Sequence, residues 1–548
     1  MKESMFEQED ELVKQAEIKL ANKGKGAVLM LQGTASDVGK SIVTTALCRI
    51  FVQDGLRPAP YKSQNMALNS YVTMEGKEIG RAQGVQAEAC GIVATTDMNP
   101  ILIKPVKDMH SQIVIHGVPE MQMSAMDYRN QFLPKAKEIV LDALNRLRQE
   151  YDVVVMEGAG SPAEINLKDR DIVNMNLAGW ADAPVILIAD IDRGGVFASL
   201  VGTLELLEPH EVKRIKGFII NKFRGDVELL KPGLDWLEER TGIPVLGVLP
   251  YIQDMRIEAE DSVVLDELQY RRQAEREIDI VVIRYPRISN FTDFDALSWE
   301  SDVVVRYVNS VQELGSPDVI ILPGTKDTIS DLQFLRDRGL DQAILDHVNN
   351  RGVQLVGVCG GYQMLGEWLN DPHAVEGNVQ KAKGLGLLPI TTTFLQKKRT
   401  VRVRGQLSSK HPLLMNQSEA TMPLIEAYEI HMGVTERIMS GDNDNIDLRS
   451  LFLLEQDQAD REGIVSESVH EEGTGTADGH VWGTYLHGLF ENDELRRSWL
   501  NHIRMNKGLE PMSTSFKAQE RKFEEFDRVA DIVRRHLDME QIHEIMRG

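Results

Sequence analysis

Hydrophobic positions in this chain gather into short uninterrupted runs, separated by amphipathic stretches with helical steps. From Ala27 the runs are AVLMLQ, DVVVME (Asp152 to Glu157), APVILIAD (Ala183 to Asp190), IKGFIIN (Ile215 to Asn221) and PVLGVLP. Unbroken apolar runs of strand length predict parallel strands buried on both faces, and their alternation with helices predicts an α/β fold. A second α/β series follows with IDIVVIRYP, SDVVVRYV, DVIILPG and VQLVGVC. Between the series, from Glu260 to Ile278, the chain is charged and helical in period, which suits a connector.

At 548 residues the chain exceeds the roughly 250–300 that one core can serve, so two large domains are expected. The pattern divides it into a helical extension over 1–25, a first domain over 26–260, a linker over 261–277, a second domain over 278–500 and a helical tail over 501–548. The tail places Phe526, Val529, Val533 and Leu537 at three- and four-residue steps, as a docking helix would. Gln456 to Gly479, rich in Glu, Asp, Gly, Ser and Thr, reads as an exposed loop or hairpin insertion. The methionines between Met109 and Met126 read as packing or lid residues.

A net charge of −23 argues against a general nucleic-acid binder, so phosphate recognition has to be local. The cysteines Cys48, Cys90 and Cys359 are too few and too far apart for a disulfide framework or a CxxC metal site. The charged N-terminus lacks the apolar stretch of a signal peptide, and no apolar run approaches the roughly 20 residues that span a bilayer. A cytoplasmic enzyme with neither nucleic acid nor membrane as partner is expected.

After AVLMLQ comes Gly33-Thr34-Ala-Ser-Asp-Val-Gly39-Lys40-Ser41 and then a helical period. Strand, Gly-rich loop and helix in this order make a phosphate site: backbone N–H groups face phosphate oxygens, Lys40 neutralises the terminal phosphates and the Ser41 hydroxyl ligates Mg²⁺. Five residues separate Gly33 from Gly39, one more than in the common loop. Glu157, at the end of DVVVME, is the expected metal ligand beside Ser41, because a carboxylate at the carboxyl end of a parallel strand faces the ligand crevice. Asp190 ranks behind it, and Asn221 is a candidate contact to the nucleotide. ATP and Mg²⁺ are thus expected, and no tightly bound prosthetic group.

The run VQLVGVC359GGYQMLG is a buried strand, a cysteine, two glycines and a helix start. This corner holds a thiol above a sheet, where a helix N-terminus favours the thiolate. His487, in VWGTYLHGLFEND, is the candidate base. Gly324, after the strand DVIILPG, and Gly360 are candidate N–H donors to an oxyanion.

These motifs resemble known families. The first half looks like dethiobiotin synthetase, whose loop has the same longer spacing, and the second like a class I glutamine amidotransferase. Their fusion resembles the corrinoid amidases, and within them the cobyric acid synthases, on YKSQNMALNS, EIGRAQGVQAEAC, EGAGSPAEINL, DIDRGGVFASL, NKFRGD, VCGGYQMLG, YEIHMG and GTYLHG. The resemblance covers about residue 26 to about 495. It implies ATP- and glutamine-dependent amidation of the b, d, e and g carboxylates of a corrinoid, adenosylcobyrinic acid a,c-diamide. The usual third residue of the amidotransferase site, a Glu two positions after the His, is here Leu489, so Glu429, His431 or another group has to orient His487.

Other readings remain open at this level. A cobyrinic acid a,c-diamide synthase or a peptidoglycan-precursor amidase would carry similar machinery. A partitioning-type ATPase switch would carry a signature Lys where this chain has Thr34.

Overall fold

The computed structural model describes residues 24–107, 110–258, 276–376, 379–409, 411, 423–438, 447–455, 470–514 and 516–548. Most of the expected N-terminal extension and linker therefore lies outside the described residues. The chain forms two compact units, one of 1–67, 78–258 and 522–548, the other of 68–77 and 259–521.

In the first unit the apolar runs become strands β1 (Ala27–Gly33), β2 (Pro58–Tyr61), β3 (Val153–Glu157), β4 (Val185–Asp190), β5 (Ile215–Phe223) and β6 (Val245–Pro250). They lie in the order β6-β5-β4-β1-β3-β2, parallel throughout. β1 is central and fully buried, with Leu31 opposite Glu157 on β3 and Gly33 opposite Ile188 on β4. Chain connections diverge to its two sides, so the carboxyl end of β1 opens on the crevice where such sheets bind ligands. The methionine-rich run falls, from position 110, on strands His110–Ile115 and Val118–Ser124 of a small separate sheet.

Helix α1 (Lys40–Gln53) follows the loop. Val43, Leu47, Cys48, Ile50 and Phe51 are all buried, more apolar surface than one sheet covers. The remainder is met by the C-terminal tail, where Val529, Val533 and Leu537 join the core that holds Leu29, Leu31 and Leu47. Phe526 packs on Val85 and Ala89. Arg49 Nε reaches Asp527 Oδ1 at 2.6 Å, and Arg534 reaches Asp54 at the same distance. From Lys522 onward the tail is thus a structural part of the first unit.

The second unit contains β7 (Ile278–Ile283), β8 (Val303–Val308), β9 (Val319–Leu322), β10 (Gln354–Val358), β11 (Ile390–Leu407), β12 (Leu424–Arg437), β13 (Leu448–Leu454), β14 (His470–Thr476) and β15 (Val481–Thr484). Their sheet runs β8-β7-β9-β10-β15-β14-β13-β11, with short strands beyond β11 and with β12 paired on β11. The strands from β8 to β15 pair in parallel, and the remaining pairs named are antiparallel.

One expectation fails in part. Of the expected exposed loop or hairpin insertion at Gln456 to Gly479, 456–469 lies outside the described residues, and 470–476 is strand β14, an antiparallel hairpin arm with β15 that lies inside the sheet rather than exposed. Its polar composition misled because Glu472 is buried and satisfied: it accepts from Thr484 Oγ1 at 2.6 Å and from the Tyr485 N–H at 2.7 Å. Burial, then the charge of Glu429, push its carboxyl up to about 8.

Candidate functional site

The phosphate loop starts where β1 leaves the sheet. The Thr34 N–H still donates to Ile188 O at 3.0 Å, so the chain stays anchored to β4 as it turns. Gly39 closes the loop at φ 96°, and a Cβ there would fall 2.2 Å from Asn221 Nδ2. Only glycine meets both constraints. Asn221 donates to Val38 O at 2.8 Å, and so braces the loop itself.

Lys40 Nζ curls back to Ala35 O at 2.9 Å and Gly160 O at 3.1 Å, gathering the loop and the turn after β3 around one cation. Ser41 Oγ donates to Glu157 Oε1 at 2.8 Å. The two expected metal ligands therefore meet, and their hard oxygens are donors of the kind Mg²⁺ takes alongside nucleotide phosphates. Asp190 is directed elsewhere: its Oδ2 lies 2.9 Å from Lys222 Nζ, which also donates to Asp37 O at 2.7 Å.

Glu157 is 1 % exposed, and a buried carboxylate requires partners. Lys62 Nζ lies 2.9 Å from its Oε1, and Gln86 Nε2 donates to its Oε2 at 2.7 Å. Burial pushes this carboxyl up, but the Lys62 charge and the hydrogen bonds of Lys62, Gln86 and Ser41 hold it below its ordinary value. Neither Lys62 nor Gln86 was singled out from the sequence. The signal was indirect: an acid predicted at a buried strand end needs a cation, and YKSQN and RAQGVQ are the polar motifs of that half.

At the thiol corner, Cys359 takes φ 51° and ψ −109° between β10 and helix α2 (Gly360–Met364). A residue with a Cβ at that φ is strained, and surrounding structure has to enforce it. Here the enforcement is close packing: a Cβ on Gly361 would fall 1.8 Å from Leu322 O. Helix α2 is only five residues long, so its dipole offers little. The Cys359 Sγ lies 3.7 Å from Ile430 O, and Cys359 is among the groups that raise the pKa of His487.

His487 follows β15 and is fully buried. Its Nδ1 lies 2.6 Å from Asp293 Oδ2, while Asp293 Oδ1 accepts the Gly488 N–H at 3.0 Å. Burial pulls the imidazole pKa down, but the Asp293 charge and hydrogen bond, aided by Cys359, lift it to about 10. The ring stacks on Tyr428, centroids 5.1 Å apart at 19°. Gly324 and Gly360 border the same place: a Cβ on Gly324 would lie 3.2 Å from His487 Cε1, and one on Gly360 would lie 2.6 Å from Thr325 Cγ2.

The third partner of the thiol site is thus Asp293. Leu489 is buried in the core, and Glu429 is held by Arg399, with His431 Nε2 at 3.7 Å. Burial raises the Glu429 carboxyl, but His431 and Arg399 outweigh it and bring the pKa to about 2. Sequence reasoning missed Asp293 because 194 positions separate it from His487. The available signal was the acid-bearing NFTDFD segment after the strand IDIVVIRYP.

Residues 29–264 match a family model described as the CobQ/CobB/MinD/ParA nucleotide binding domain. Residues 279–495 match one described as the CobB/CobQ-like glutamine amidotransferase domain. Among curated proteins, a cobyric acid synthase of Desulforamulus reducens is 52 % identical over 518 residues, covering 94 % of this chain and 98 % of that protein. One of Geobacillus sp. (strain WCH70) is 50 % identical over 522 residues, with 95 % and 98 % covered. Another, of Dehalococcoides mccartyi (strain BAV1), is 50 % identical over 519 residues with the same coverage.

Proposed function

The chain belongs to the cobyric acid synthase family, glutamine-hydrolysing ligases of cobalamin biosynthesis, and from that premise we propose how its residues divide the work. Its reaction is ATP- and glutamine-dependent amidation. The substrate we assign is adenosylcobyrinic acid a,c-diamide, amidated at the b, d, e and g carboxylates to give adenosylcobyric acid.

In the second unit Cys359 attacks the side-chain amide carbon of glutamine. The Gly324 and Gly360 N–H groups receive the oxyanion, and His487 protonates the departing ammonia. Water then cleaves the thioester to glutamate, with His487 taking the proton. Asp293 fixes Nδ1 and keeps the imidazole charged beside the thiolate. The observation that carries this reading is the buried His487–Asp293 pair facing Cys359, since its raised pKa suits an ion pair with sulfur.

In the first unit a substrate carboxylate attacks the γ-phosphate of ATP, and Lys40 neutralises the charge that develops there. Ser41 and Glu157 are the residues that would hold Mg²⁺, which supplies further neutralisation of the phosphates. Lys62 is positioned to hold Glu157 ionised. Ammonia then displaces phosphate from the acyl phosphate to form the amide.

The test replaces Cys359 with Ala and supplies ATP and adenosylcobyrinic acid a,c-diamide with either glutamine or ammonium. Glutamine use should vanish while ammonium still yields a product heavier by four amidations. Loss of both, or retention of glutamine use, refutes the division of labour. A product of any other mass refutes the substrate assignment.

A further inference from the structure

The segment Leu68–Lys77 interrupts the first unit in sequence, yet it clusters with the second. It is bracketed by residues of the ATP site: Lys62 before it and Gln86 after it both contact Glu157. Within the second unit it reaches the thiol site by two independent routes. Val72, 1 % exposed, packs in a buried cluster with Tyr428 and Ile430, and Tyr428 is the ring stacked on His487. The Ser70 N–H donates to Asn290 Oδ1 at 3.1 Å, and Asn290 Nδ2 lies 3.5 Å and 3.4 Å from the two ring nitrogens of His487.

Asn290 is nearly equidistant from both nitrogens, so it cannot donate in line to both and acts as a spacer against the ring. Its backbone is left-handed at φ 51°, and it directly precedes the short helix Phe291–Phe294 that carries Asp293. A shift of Asn290 therefore moves both the ring's neighbour and its carboxylate. Among the described residues the short hydrogen bond to the ring is that with Asp293, at 2.6 Å, and the packing by Asn290 and Tyr428 sets how the ring is turned about it.

The segment is fixed in place on this side. Arg402 Nε donates to Val72 O at 2.7 Å, with its guanidinium 5.0 Å from the Tyr71 ring centroid. At the turn, a Cβ on Gly76 would fall 2.9 Å from Thr400 O.

We propose that Asn290 is a positioning residue for His487, and that Leu68–Lys77 sets it, so that glutamine hydrolysis depends on the state of the Glu157 site through the chain that joins them. The inference rests on the assignment of Cys359 and His487 to glutamine hydrolysis. It gives the segment two arms: a backbone donor that orients Asn290, and an apolar side chain that backs Tyr428. Nitrogen release is thereby tied to readiness of the acyl-phosphate half, which limits wasted glutamine.

The test measures three rates on the full-length protein: glutamine hydrolysis alone, glutamine hydrolysis with ATP and adenosylcobyrinic acid a,c-diamide, and amidation driven by ammonium. Wild type should hydrolyse glutamine faster when ATP and corrinoid are present. In Val72→Ala and Asn290→Ala the stimulated kcat should fall about tenfold or more and the stimulation ratio approach one, while the glutamine KM stays within about twofold. Ammonium-driven amidation should be unchanged, and Val72→Ile should restore the ratio. Stoichiometric alkylation of Cys359 together with an unaltered near-ultraviolet circular dichroism spectrum establishes that each variant is folded; if Val72→Ala is not, Asn290→Ala decides. An unstimulated wild type, an unchanged ratio in the variants, or a parallel loss of ammonium-driven amidation overturns the inference. Glutamine hydrolysis that survives in Cys359→Ala instead overturns the reading beneath it.

Discussion

Replacing Asp293 with Asn tests the thiol site through its least visible member. The Asp293 carboxylate accepts from two sides, from His487 Nδ1 at 2.6 Å and from the Gly488 N–H at 3.0 Å. An Asn amide has one oxygen. If that oxygen serves Gly488, its NH₂ faces Nδ1 and forces the proton onto Nε2, where a neutral ring cannot deprotonate Cys359. If it serves Nδ1, the NH₂ faces the Gly488 N–H, and the two opposed buried donors cost about 1–3 kcal/mol. Either arrangement removes the charge that sustains the imidazolium. Because the wild-type pKa is raised to about 10, the imidazolium persists through neutrality and is lost only above that value. In Asp293→Asn that loss should move to much lower pH. We expect glutamine-dependent kcat to fall by about 10²–10⁴-fold. Alkylation of Cys359 by iodoacetamide at pH 7 should slow by about tenfold or more, since the thiolate loses its counter-charge. Ammonium-driven amidation should not change. A glutamine-dependent rate within about twofold of wild type, or equal loss with both nitrogen sources, would refute the role given to Asp293.

Glu157→Gln should abolish amidation with either nitrogen source; it also removes the charge that Lys62 Nζ faces at 2.9 Å, so the melting temperature should fall, and an unchanged melt would contradict this. Glu472→Gln should stabilise the protein increasingly as pH rises. The native carboxyl keeps its proton up to about 8 whereas the unfolded one releases it near 4.5, so the wild-type penalty grows between those values and is complete above the higher; equal melting temperatures for the two proteins at pH 8.5 would contradict this. Phe526→Ala should cost about 3–5 kcal/mol and lower the melting temperature with the ATP-dependent steps, because the ring fills the space between the tail and Val85 and Ala89. An unchanged melt would mean that the tail is dispensable.

Much of this protein is legible in its sequence, because the information is local. Apolar runs such as VVVME and VILIAD can hardly be anything but buried parallel strands, since each of their residues has to leave water. The loop Gly33 to Ser41 and the corner at Cys359 announce themselves because their chemistry needs glycines at fixed offsets from a lysine or a thiol. What tertiary structure alone decided are pairings between distant residues. Asp293 became the partner of His487 because the loop after β7 folds over the end of β15, and no spacing encodes that. Lys62 and Gln86 met on Glu157 because a buried carboxylate has to be neutralised by whatever cation and donor the fold delivers. Leu68–Lys77 and the tail beyond Lys522 joined units other than those suggested by their places in the chain. Burial of Val72 and Val533 is satisfied by any apolar neighbour the fold offers, and that choice is made in three dimensions rather than along the sequence.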